Sequence, residues 1–412
     1  MVYEKKYANG LRLVVKKMDG LYSVTMGILV GTGASVERDD EDGISHFIEH
    51  MQFKGTNKRN AFEISDAFDR IGAQVNAFTG KDVTCYYSKC TSDHTAEAFE
   101  ILADLFLNAT YPEEEMVREK GVICEEISMN EDTPEDLCLD LLATATYGKE
   151  NYGRNILGSQ ETVNGFTVEA VEKYKAERYC PENVVVSFAG GIDFETAQAL
   201  VESYFGTLKT GNFNKRSFTV NRVNQIIKKK KSLEQLHLAI GFPALKRNHE
   251  LSDALQTMNS VLGGSMSSRL FQEVREKKGL AYSVYSYLST YEECGGLTVY
   301  AGVNPLKAKE AYEAIEEVIA KMKQEGISEE EFLRGREQMK SSMLFAQEST
   351  SSQMLLYGKY MLYNNEVYDF EGRFKKMNEM KKEDVMNALS LTLDSSQQAV
   401  SVVGKIGRKF FL

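Results

Sequence analysis

Apolar residues cluster in short β-like runs at the start of the chain, NGLRLVVKK and SVTMGILVGTG, separated by a glycine-containing turn. The pattern then lengthens to the helical period through GISHFIEHMQFKGT, residues 43 to 56, and a second helix is predicted over AFEISDAFDRIGAQ. VNAFTGKDVTCYYSK returns to alternation on either side of Gly80-Lys81, which predicts a hairpin. DHTAEAFEILADLFLNA and EEEMVREKGVICEEISMNED read as further amphipathic helices, and NVVVSFAGGID as a buried strand ended by glycines.

Residues 206–232 change character: polar, basic and without helical periodicity, they read as a linker whose Lys228 to Lys231 run is a solvated tether. Beyond it the order begins again. QLHLAIGFPAL takes the place of SVTMGILVGTG, and HELSDALQTMNSVLGG that of the first helix. LAYSVYSYLSTYEECGGLTVYAGV reads as the hairpin, two helices follow, and QQAVSVVGKIG closes the half. The repetition predicts a duplicated α+β chain of two homologous domains, each a mainly antiparallel sheet flanked by helices. The expected boundaries are 1–205, a linker at 206–232, and 233–412.

A chain of 412 residues is long for one core and agrees with that division. Its formal charge of −11 argues against nucleic acid and against an anionic membrane surface as partners. MVYEKKYANGLRLVV lacks the pattern of a signal peptide, and VTMGILVG is too short to span a bilayer. The six cysteines contain no CxxC pair and read as free thiols in a reducing cytoplasm. Cys85 and Cys90, five apart in a strand, should face opposite ways. The acidic runs at Asp39 to Asp42, Glu113 to Glu115 and Glu131-Asp132 read as solvated surface.

The candidate chemistry lies in HFIEH. On a helix His46 and His50 stand one turn apart and about 40° apart around the axis. Two imidazoles so placed suit two corners of a tetrahedral zinc site, and Glu49 falls on the same stripe, within reach of a water there. Ile44, Phe47, Ile48 and Met51 occupy the opposite side, which should pack on the core. The alternative is a solvated polar face, which Phe53 on the stripe disfavours. A third ligand is sought in VREKGVICEEISM, where Glu119 and Glu126, seven apart, share a face with Val122 and Ile123 while Glu125 points away. Glu126 as third ligand leaves a fourth corner open for water, and Glu119 would brace a histidine from behind. The alternative there is a surface helix with spare charge. The second half has no HxxEH.

With Glu126 lying 76 positions after His50, these residues resemble the pitrilysin/insulinase family of zinc peptidases. The likeness is strongest to short bacterial members related to the mitochondrial processing peptidase, and it runs from NGLRLVV to SVVGKI. It implies one Zn²⁺ per chain held by His46, His50 and Glu126, with Glu49 as general base and Glu119 supporting the site. It also implies that NAFTGKDVTCYY is the edge strand to which a peptide adds, with Asn76, Ala77 and Phe78 passing the metal. RLFQEVREKKGLAYSVYS would supply Arg275 and Tyr282, an arginine to hold substrate and a tyrosine to donate to the oxyanion. Cleavage of peptides or unfolded segments follows, in a homodimer or a heterodimer with a related subunit. The rival implied by the family is a catalytically silent partner or scaffold subunit. Gln52 departs from the pattern, since an apolar residue is expected in HMQFKGT. GGSMSSRL lacks the ending of a phosphate loop and reads as a turn before a helix, and His94, His237 and His249 are isolated.

Overall fold

A computed structural model describes residues 1–406 except 207, 209, 212 and 214. The first half of the chain runs β1 (Val2–Lys6), β2 (Arg12–Lys17), β3 (Ser23–Val30), α1 (Ile44–Met51), α2 (Ala61–Arg70), β4 (Gln74–Thr79), β5 (Thr84–Thr91) and α3 (Thr95–Asn108). It continues with α4 (Glu113–Asp132), α5 (Pro134–Tyr147), α6 (Gln160–Gly165), α7 (Val168–Arg178), β6 (Val184–Gly190) and α8 (Phe194–Phe205). The second half runs β7 (Ile226–Lys230), β8 (Leu236–Ala244), α9 (Ser252–Leu262), β9 (Ala281–Thr290), β10 (Gly295–Val303) and α10 (Ala308–Glu325). It ends with α11 (Glu329–Ala346), α12 (Thr350–Asn364), α13 (Phe370–Glu379), α14 (Lys382–Ser390) and β11 (Ala399–Gly404).

Two sheets carry these strands, ordered β1-β2-β6-β3-β5-β4 and β7-β11-β8-β10-β9. Without β1 the two orders are the same, strand for strand in chain sequence. Each sheet is antiparallel except at one pair, β2 with β6 and β7 with β11. The fold is therefore the α+β duplication that the pattern predicted.

The expected linker at 206–232 needs correction. Ile226 to Lys230 form β7, the first strand of the second sheet, in register with Val400 to Gly404. The unbroken lysines Lys228 to Lys230 of this edge strand hide its alternation and disguised it as a tether. Lysine is a usual guard of exposed strand edges, while Ile227 packs on the small core around Leu142 and Val403. The compact units also interleave along the chain. The first comprises Met1–Ile127, Asn155–Ser217 and Phe345–Asp369; the second comprises Ser128–Arg154, Phe218–Leu344 and Phe370–Leu412. Helix α12, from the C-terminal half, packs on β2, β3 and β6, and α5, from the N-terminal half, packs on β8 and β11.

In the first unit one sheet face buries Met26, Ile28, Val186 and Phe188 with Phe99, Phe106 and Phe205 of α3 and α8. The other face takes α12 at close range. Gly358 lies where a Cβ would meet Leu29 Cδ1 at 2.7 Å and Ser187 Cβ at 3.0 Å. Thr25 and Thr350 share a hydroxyl hydrogen bond of 2.8 Å, and Ser187 Oγ donates to the Met354 carbonyl at 2.8 Å. Cys85 and Cys90 do face opposite ways: Cys85 lies near Gly27 on the α12 side and Cys90 in the main core. Among the described residues no helix is long and apolar enough to cross a membrane.

Candidate metal centre

Helix α1 is anchored before it starts. Gly43 takes a left-handed φ of 89°, and the buried Glu37 carboxylate accepts from the backbone N–H of Gly43 at 2.8 Å and of Ser45 at 2.9 Å. Those N–H groups are ones the helix cannot pair internally. Ile44, Phe47, Ile48 and Met51 are buried with Met116, Ile123, Val171 and Tyr174. With that side fixed, His46, Glu49 and His50 turn to the other.

There α4 presents its carboxylates. His50 Nδ1 pairs with Glu119 Oε1 at 2.8 Å, and Lys54 Nζ reaches Glu119 Oε2 at 2.7 Å. Glu126 Oε2 lies 3.7 Å from His46 Nε2 and 3.6 Å from His50 Nε2. One ligand atom from each of His46, His50 and Glu126 falls within 4.8 Å of the others. Donors on a tetrahedral zinc, at about 2.0–2.1 Å from the ion, stand about 3.3 Å from one another. The set therefore fits zinc by donor type, with separations up to 4.8 Å that are wider than a bound ion would impose. Glu125 is exposed, as its phase requires; Val122 is also exposed, so only Ile123 supplies the apolar neighbour.

Burial is the largest influence on these groups. It holds His46 down to about 3, with His50 adding to the effect and Glu119 opposing it. The imidazole is thus neutral, the form that binds a metal. Its Nδ1 is buried without a hydrogen-bond partner among the described residues. Burial alone would raise Glu119, but hydrogen bonds from His50 and Lys54 hold it below the usual carboxylate value. Burial raises Glu49, a shift that a hydrogen bond from Thr79 Oγ1 and the charge of His50 reduce.

Thr79 ends β4, the outer strand of the first sheet. Asn76 is exposed, Ala77 and Phe78 are half-buried, and the Ala77 N–H is held by its neighbour's Asn76 Oδ1 at 2.8 Å. The structure thus gathers His46, Glu49, His50, Glu119 and Glu126, with the strand of Asn76 to Phe78 beside them. Arg275 and Tyr282 belong to the second unit. There the guanidinium lies 5.9 Å from the ring centroid of Tyr282, which is 77% exposed.

Gln52 has a specific explanation. It is fully buried, donates to the Phe106 carbonyl at 3.2 Å, and its Oε1 accepts from Tyr111 Oη at 3.0 Å and Lys175 Nζ at 3.3 Å. An apolar residue would strand those two donors. Within the acidic run at Asp39 to Asp42, Glu41 is corrected from solvated to buried, paired with Arg216 and Arg38. Sequence reading missed Thr79 and Lys54. Both had a signal: Lys54 lies one helical turn beyond His50, and Thr79 shares its strand face with Ala77.

Comparison with known proteins places the chain in a class. Residues 12–160 match the model of the insulinase (M16) peptidase family, and residues 165–339 that of the M16 inactive domain. The chain belongs to the M16 peptidase family. It is 42% identical over 409 residues to YmxG of Bacillus subtilis, described as an uncharacterized zinc protease, with 98% of each chain covered. It is 34% identical to an uncharacterized zinc protease of Streptomyces coelicolor, covering 97% of this chain and 89% of that one. The fold matches a crystal structure of a peptidase M16 inactive domain from Pseudomonas fluorescens with a TM-score of 0.91 at 20% identity, over 98% of both chains. It matches a protease from Helicobacter pylori with a TM-score of 0.90 at 22% identity, over 98% of this chain and 99% of that one.

Proposed function

We propose that the protein is a zinc-dependent metalloendopeptidase acting on peptides or unfolded segments. The observation that carries this is the convergence of His46, His50 and Glu126 within 4.8 Å, beside a Glu49 held by Thr79. Zinc bound by those three residues supplies Lewis-acid polarisation of a carbonyl and acidifies water. Glu49 would take a proton from the attacking water as its oxygen bonds to the carbonyl carbon, and pass it to the amine as the C–N bond breaks, a role that its raised proton affinity suits. The Thr79 hydroxyl fixes which way that carboxylate points. Glu119 accepts from His50 Nδ1, which would leave the Nε2 lone pair free to hold the metal. The substrate adds to the free edge of β4 by main-chain pairing, where it displaces Asn76 Oδ1 from the Ala77 N–H. Tyr282 and Arg275 complete the reading as oxyanion donor and substrate anchor, in a dimeric assembly of two copies or of this chain with a related subunit.

The test is zinc content together with cleavage of quenched-fluorescence peptides by the wild type and Glu49→Gln. One zinc per chain in both, with cleavage reduced roughly 10²- to 10⁴-fold in the variant, is expected. A folded protein that binds no zinc, or a variant that cleaves as fast as wild type, removes the assignment.

A further inference from the structure

Lys359 of α12 is a cation that the proposed reaction does not use. Its Nζ stands 4.9 Å from the centroid of the Phe78 ring. Phe78 adjoins Thr79, the donor to Glu49. It pairs with Cys85 across the strands, and Cys85 lies on the α12 side of the sheet. Ala77 instead packs toward the main core with its register partner Tyr86. Phe78 and Lys359 therefore belong to the sheet face opposite Ala77 and Thr79.

Lys359 is half-buried, and among the described residues its amine forms no ion pair within 4.0 Å. An aromatic face holds an ammonium at this distance without neutralising it. Nor is the amine needed to fasten α12 to the hairpin, because Tyr363 Oη already donates to Asp82 Oδ1 at 3.0 Å.

A peptide strand on the β4 edge sends alternate side chains to the two faces of the sheet. The residue opposite Phe78 sends its side chain to Phe78's face, with Cβ atoms about 4.5–5.5 Å apart. It therefore meets Lys359, while its neighbours in the peptide face Glu49. We propose that Lys359 is a specificity-determining residue that selects an aspartate or glutamate at the peptide position paired with Phe78. This rests on the strand-addition reading above. It also makes a specific claim against the background of a chain of net charge −11 with three carboxylates at the site, which by themselves would repel acidic peptides.

The experiment measures binding of labelled peptides to zinc-loaded Glu49→Gln protein by fluorescence anisotropy, with a glutamine exchanged for glutamate at each position in turn. One position at which glutamate binds roughly three- to fivefold tighter is expected, with the preference falling as salt is added. Adding Lys359→Met should erase the preference while binding of the all-glutamine peptide persists, and Lys359→Glu should turn it toward lysine. A preference that survives Lys359→Met, or no preferred position at all, overturns the proposal. Cleavage of the all-glutamine peptide by Lys359→Met in an otherwise wild-type chain reports separately on the peptidase reading. Peptides that bind no variant remove both.

Discussion

A lysine beside Gln52 shows how one residue's surroundings become a measurable property. Lys175 Nζ lies 5.3 Å from the Tyr111 ring centroid and 3.3 Å from Gln52 Oε1. Burial pulls it down to about 7, with the charge of Glu172 opposing the shift. In the unfolded chain the same amine titrates near 10.4. Between those values the unfolded state holds a proton that the folded state has released, so stability rises with pH across the window. Below 7 both states are protonated and the cost of the buried charge is fully present. Thermal melts at pH 7 and pH 9 should show wild type gaining over Lys175→Met, and equal pH slopes for the two would dissociate Lys175 from the effect. At this scale the site was legible wherever local spacing decides geometry. His46, Glu49 and His50 share one helix, and Glu119 and Glu126 another. What stayed hidden was contact between distant segments: the lysine that meets Gln52 lies 123 positions away, and no period in the sequence announces it.

Elements were read well when their apolar stripe was regular. Helices α1 to α4 and α9, both hairpins and the two helices after the second hairpin, α10 and α11, were found, whereas α5 to α8 and α12 to α14 were not. Helix α12 shows why. Its buried positions are Thr350, Gln353, Met354, Tyr357, Gly358 and Met361, a face in which threonine, glutamine and glycine mix with two methionines and a tyrosine in place of leucine and valine. Such a face suits close approach to a sheet, not generic burial. Substituting Gly358→Ala should therefore cost about 1–3 kcal/mol, because the added methyl meets Leu29 and Ser187 in a filled core. Gly121→Ala, exposed in α4 with open space around it, should instead stabilise by about 0.5–1 kcal/mol. Urea melts of the two variants test the pair, and equal signs would show that closeness of packing does not govern α12.

For the whole molecule, the duplication carries a consequence that contiguous halves would not have. In each repeat the third helix after the hairpin leaves its own sheet: α5 packs on β8 and β11, and α12 on β2, β3 and β6. A fragment ending near residue 205 contains the zinc motif, its carboxylates and the whole first sheet, yet lacks α12. Met354, Tyr357 and Met361 are fully buried in that helix. At about 1.5–3 kcal/mol for each large apolar side chain, their loss removes roughly 5–9 kcal/mol, comparable with the net stability of a domain. Residues 1–205 alone should therefore be expanded, prone to aggregation and poor at binding zinc, although every proposed ligand is present. Co-expression with residues 206–412 should restore a soluble complex and zinc binding, since that piece returns α12 and receives α5. Circular dichroism, size-exclusion chromatography and zinc titration of the fragment with and without its complement decide the matter. A monomeric, cooperatively melting 1–205 that binds zinc as the full chain does would mean that the exchanged helices are dispensable to the fold.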